Sequence, residues 1–118
     1  MSKSSLGREG ENRAVAALEA AGMGIIARNV RSKTGEIDIV ARDGETIVFV
    51  EVKAWSVYGF DALEHSINRK KQRRIIETAK YFLASHREYS NMAVRFDIVF
   101  IGPEAITHLA SAFMDGVW

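Results

Sequence analysis

The sequence contains no cysteine, which excludes disulfides, thiol catalysis and every zinc site that needs thiolate ligands. It has no apolar run approaching the roughly 20 residues that cross a bilayer, and its start, MSKSSLGREGENR, lacks the apolar core of a signal peptide. A cytoplasmic protein with no membrane partner is therefore expected. An excess of charge is missing too: 16 basic and 15 acidic residues leave a net charge of +1, so any case for a polyanionic partner must come from how the bases cluster. The three histidines, His65, His86 and His108, stand in separate segments without an i, i+4 pair, and none reads as a metal ligand. There is no glycine-rich phosphate loop, no Ser-His-Asp arrangement and no dinucleotide fingerprint.

What is present is an ordinary globular composition, 47% hydrophobic and 26% charged over 118 residues. That length supports one domain, residues 1–118, around a single core. The segment Gly10 to Ala21 is rich in strong helix formers and stops at Gly22. Its apolar stripe runs through Ala14, Val15 and Leu18, and Glu11 shares that face. Gly24 to Val30 reads as a short strand, followed by the polar turn RSKTG. Glu36 to Ala41 and Thr46 to Lys53 are dense in Ile and Val and flank Asp43-Gly44, which predicts a hairpin covered on both faces. Trp55 to His65 reads as a loop able to overhang a site. Ser66 to Ser85 carries the stripe Ile75, Ile76, Ala79, Phe82 and Leu83 and predicts a second helix. Val94 to Ile101 and Ala105 to Leu109, parted by Gly102-Pro103-Glu104, are two further strands, the last at an edge. The order αβββαββ implies an α/β domain, a central mixed β-sheet of about five strands flanked by helices.

The hairpin holds the unusual chemistry. With Asp43 and Gly44 as the turn residues, Arg42 pairs with Glu45 and Asp38 falls opposite Phe49, so Asp38 lies diagonal to Glu51 and on the same face as Glu51 and Lys53. Glu36 joins them in this register. Two neighbouring, partly buried carboxylates need a positive charge between them. Lys53 alone gives a structural ion-pair cluster. A hard cation, Mg²⁺ or Mn²⁺, gives a metal site of Asp38 and Glu51 with Glu11 as a further oxygen donor. For Glu11 the plainer reading is a first-turn glutamate that complements the helix dipole. A metal on Asp38 and Glu51 would activate water and polarise a phosphodiester while Lys53 orients the nucleophile or stabilises phosphate charge.

Arg69, Lys70, Lys71, Arg73 and Arg74 crowd the first turns of the second helix, where the helix dipole disfavours cations and welcomes phosphate. Either this is a solvated face or an anionic partner lies against it. Gln72 falls in line with the buried stripe and is expected to face the sheet and site, with Arg69 and Lys71 at its rims and Arg73 beside them. Arg28, Arg31 and Lys33 extend the basic surface. Trp55, Tyr58 and Phe60 are read as packing in preference to stacking on unpaired bases. Asp97, beside Arg95 at the start of an apolar strand, is read as structural and left out of the site.

A leading helix with Glu11, then Asp38, then Glu51-Val52-Lys53 on a hairpin resembles the PD-(D/E)xK nuclease superfamily, which has the restriction endonuclease-like fold. More narrowly, almost the whole chain resembles the YraN-like family of uncharacterised bacterial proteins, grouped with archaeal Holliday junction resolvases. The residues that carry this are Gly10-Glu11, Arg28-Asn29-Val30-Arg31, GEIDIVARDG, VFVEVK, Lys71, Arg95-Phe96-Asp97 and Ala112-Phe113. The resemblance implies a metal-dependent endonuclease acting on DNA, on branched structures and as a homodimer. A non-catalytic nucleic-acid-binding or recruitment module that keeps the fold is the rival class. A carboxylate-pair glycosidase accounts for two acids but for neither the adjacent lysine nor the basic helix.

Overall fold

The computed structural model of the chain describes residues 3–54 and 67–113, with side chains from residue 7 onward. The expected loop Trp55 to His65, with Trp55, Tyr58, Phe60 and His65, lies outside the described residues, as does Ser66. The elements are α1 (Lys3–Ala20), β1 (Gly24–Arg31), β2 (Glu36–Asp43), β3 (Thr46–Ala54), α2 (Arg69–Ser85), a short 3₁₀ turn (Arg87–Tyr89), β4 (Ala93–Ile101) and β5 (Ile106–Phe113). This is the expected α/β order αβββαββ.

The five strands form one mixed sheet in sequential order. Neighbours run antiparallel except β3 and β4, which are parallel in a ladder from Thr46↔Ala93 to Ala54↔Ile101. A parallel pair needs a long crossover, and α2 lies within it. One core, between α2 and the sheet, gathers Val40, Ile47, Phe49, Ile75, Ile76, Phe82, Phe96 and Phe100. The other, under α1, gathers Ala14, Leu18, Ile39, Ala41, Val48, Val50 and Val99. Alternate residues of β3 thus feed opposite cores, which is why that strand is apolar on both faces.

Helix α1 begins seven residues before the sequence pattern predicts, since a nucleated helix extends cheaply, at one hydrogen bond per residue added. It ends as expected. Gly22 (φ 94) turns the chain while its N–H donates to Glu19 O at 2.9 Å and Met23 N–H donates to Leu18 O at 3.0 Å, a closure in which Leu18 and Met23 share the α1 core. Helix α2 begins at Arg69, later than the expected Ser66, because Asn68 is its cap and accepts the Lys71 N–H at 2.9 Å.

Strand β5 runs four residues past its expected end. The pairing shifts between Phe96↔Phe113 and Ile98↔Leu109, and the bulge it creates carries Ser111 at φ 53. Asp97, completely buried, holds this irregularity together. Its carboxylate accepts Ser111 N–H at 2.9 Å, meets His108 Nε2 at 2.7 Å and accepts Arg95 Nε at 3.1 Å. Arg95 also reaches Asp43 Oδ2 at 3.0 Å. Among the described residues, no helix is long and apolar enough to cross a membrane.

Candidate active site where two strands part

The hairpin turn differs by one residue from its expected position. Asp43 pairs with Thr46, so Gly44 (φ 59) and Glu45 are the turn residues, and Arg42 Nε donates to Gly44 O at 2.9 Å. Every partner therefore moves by two: Val40, not Asp38, faces Phe49. Extending the ladder would put Asp38 directly opposite Glu51. Because the shift is even, a continued ladder would still put Asp38 on the face of Glu51 and Lys53.

That extension is not completed. The ladder between β2 and β3 ends at Ile39↔Val50, one step short of the acids. In a regular continuation the Val52 N–H would point at the Ile37 carbonyl. Instead the Asp38 side chain takes it, Oδ2 accepting at 2.8 Å. Around Asp38 the alternation of β2 breaks: Ile37 packs into the α2 core although Ile39 packs under α1. On the β1 side lies Asn29, in left-handed backbone at φ 55. The two acids therefore meet at a notch in the sheet.

Glu51 is buried, its side chain only 8% exposed, and two ammonium groups address the same oxygen: Lys71 Nζ lies 2.8 Å and Lys53 Nζ 4.0 Å from Oε2. Burial first, then the charge of Glu51, push the Asp38 carboxyl up to about 8, against a downward pull from the Val52 N–H. The negative charge of Glu11 adds to the rise. At neutral pH the pair holds a proton. Burial also disfavours the Lys71 ammonium, but its hydrogen bond to Glu51 and the charge there outweigh that, so it stays charged beyond the ordinary lysine range.

Glu11 lies in the third turn of α1. A helix-dipole role is thereby removed, since that effect fades within the first turn. Its carboxylate is 3.5 Å from Arg28 Nη2, which also donates to Asn12 Oδ1 at 2.8 Å. The structure thus brings Asp38, Glu51, Lys53 and Lys71 together, while Glu11, paired with Arg28, reaches Asp38 through its charge alone. Glu36 is not with them: beyond the break at Asp38 it is exposed and pairs with Arg31 at 3.0 Å. Arg69 and Arg73 are exposed on α2. Gln72 faces the sheet beside Ile98 and Phe100, but its carboxamide N–H donates to Ile67 O at 3.1 Å, tying it to the start of its own helix.

Chemically, the half-buried Asp38 and buried Glu51 are rich in oxygen donors, and in the metal-free protein the two lysines balance their charge. Among the described residues no three carboxylate or imidazole groups form a ready cation cage. Mg²⁺ and Mn²⁺ do not require one, being bound through one or two carboxylates with waters retained. The Lys71–Glu51 contact was not legible from spacing, because nothing in either segment says that the start of α2 overlies the end of β3. The ladder role of Asp38 had no sequence signal either.

The profile of the uncharacterised protein family UPF0102 matches residues 10–101 of the chain. A UPF0102 protein of Treponema pallidum is 45% identical over 117 residues, covering 93% of each chain. One from Persephonella marina is 46% identical over 107 residues and 91% of each chain, and one from Alcanivorax borkumensis is 38% identical over 88% of this chain and 83% of its own. With the profile spanning the carboxylates, both lysines and the sheet up to the end of β4, the chain belongs to the UPF0102 family.

Proposed function

We propose that this chain is a metal-dependent endonuclease that hydrolyses DNA phosphodiester bonds. The observation that carries the reading is the notch itself: Asp38 and Glu51 meet where β2 leaves β3, with Lys53 beside them and the basic first turns of α2 above. Asp38 and Glu51 would hold Mg²⁺ or Mn²⁺, and Glu11 would complete the ion's surroundings. Their chemistry fits: an acid pushed up to about 8 by burial and by carboxylate neighbours is a site relieved by a cation. When bound, such an ion supplies Lewis acidity and a more acidic water.

The remaining roles fall to the chain's own groups. Lys53, on the face of Glu51, orients the nucleophile and stabilises charge on the phosphate. Lys71, Arg69 and Arg73, with Arg28 and Arg31 farther along, hold the backbone of the nucleic acid without reading sequence. Gln72, bonded to Ile67 O, supports the start of α2. Branched DNA as the substrate and a homodimer as the acting form follow from the resemblance to resolvases.

One observation favours the rival reading, a binding module without catalysis: Lys71 at 2.8 Å from Glu51 already supplies a counter-charge. Incubation of single-stranded, duplex and four-way-junction DNA with Mg²⁺ or Mn²⁺ separates the two. Cleavage by the parent, lost in Asp38→Asn and Lys53→Ala, supports the nuclease. DNA binding without cleavage of any of the three, together with no calorimetric metal binding, selects the module. Equal cleavage by all three proteins points to a contaminant.

A further inference from the structure

The cation nearest Glu51 comes from α2 and not from the strand that carries the acid. Lys71 Nζ is 2.8 Å from Oε2, the contact a small cation would otherwise take, whereas Lys53 Nζ is 4.0 Å from the same atom. The backbone of Lys71 is pinned, its N–H donating to the Asn68 cap at 2.9 Å, so a change of partner requires only the side chain to turn. Room exists for that: the Lys71 side chain is 37% exposed, against 8% for Glu51. Arg69, Lys70 and Arg73 are exposed on the same first turns of α2.

A divalent ion on the carboxylate oxygen would sit closer than Lys71 does, at about 2.0–2.1 Å for Mg²⁺, and would repel an ammonium left there. We propose that Lys71 is a tethered substitute for the cation, holding Glu51 in the metal-free protein and swinging out to a phosphate when the metal enters. Metal and nucleic acid then bind as one coupled event, each raising the affinity for the other through the lysine they exchange. This rests on the metal-dependent reading above and assigns Lys71 a positioning role within it.

The test is calorimetric titration of Mn²⁺ at pH 8, without DNA, into the parent, Lys71→Met and Lys80→Met, the last removing an exposed charge elsewhere on α2. Lys71→Met is expected to bind Mn²⁺ at least tenfold more tightly than the parent, and Lys80→Met like the parent. Equal or weaker binding by Lys71→Met overturns the exchange and leaves the metal reading standing. No binding by the parent or by Lys71→Met overturns both. A second measurement needs no variant: the NMR signal of the Lys71 εCH₂ group in the parent should move on saturation with Mg²⁺ toward that of an unpaired lysine. An unmoved signal overturns the exchange.

Discussion

The Asp38 side chain accepts the Val52 N–H at 2.8 Å, standing in the sheet where a backbone carbonyl would be. One residue thus terminates a ladder and faces an acid. Asp38→Ala leaves that N–H without its partner and should cost about 1–3 kcal/mol in urea unfolding. Asp38→Asn keeps an acceptor and should cost less.

Stability should depend on pH through the same group. With its folded value at about 8 and its ordinary value at 3.8, the Asp38 carboxyl binds its proton more tightly in the folded chain. The stabilisation is therefore complete below the unfolded value and is lost as pH rises through the folded one. Metal-free protein should melt at progressively lower temperature from pH 5 to 8.5, with a contribution from this group of up to about 1.4 kcal/mol per pH unit. Asp38→Asn should flatten the profile. A parent profile that rises across this range would contradict the assignment.

Glu11 and Asp38 should separate in metal binding. Asp38→Asn removes a direct donor and should abolish Mn²⁺ binding in calorimetry. Glu11→Gln removes a nearby charge on another element and should weaken binding by about tenfold, or 1.4 kcal/mol.

The exposed bases of α2 should act through phosphate contacts alone. Arg73→Ala is expected to weaken DNA binding equally for unrelated sequences and to lower the slope of log affinity against log salt by about one. Fluorescence anisotropy at several salt concentrations reads both.

Asp97 should matter for the fold and not for metal. Completely buried, it joins Arg95, His108 and the bulged Ser111 N–H. Asp97→Ala should destabilise by roughly 3–5 kcal/mol, as breaking a buried ion pair does, while Mn²⁺ affinity measured well below the melting temperature stays at the parent value.

The sequence carries the elements far better than it carries their junctions. The Ile/Val runs of β2 and β3 and the stripe of α2 are written in composition and period, because burial demands them. The nearness of Asp38 to Glu51 is also legible, since parity survives an even shift, although the ladder itself stops one step short of them. The turn is not: Asp43-Gly44 and Gly44-Glu45 both place a glycine centrally, and only the ladder chooses between them. Nor is the far end of β5, where His108 to Ala112 offers little strand signal and pairing is sustained by the Asp97 carboxylate. Lys71 is legible as a base but not as the partner of Glu51, for that contact depends on how a helix crosses a sheet.

The parallel pairing of β3 with β4 has a consequence for biogenesis. These two strands cannot join as a local hairpin does; their pairing must wait for the long intervening chain, which includes α2, to be laid across the sheet. The same docking delivers Lys71 to Glu51. A nascent chain that has made only the β2–β3 hairpin thus carries Asp38 and Glu51 without their helix-borne cation, and the assembled cluster belongs to molecules in which α2 has docked.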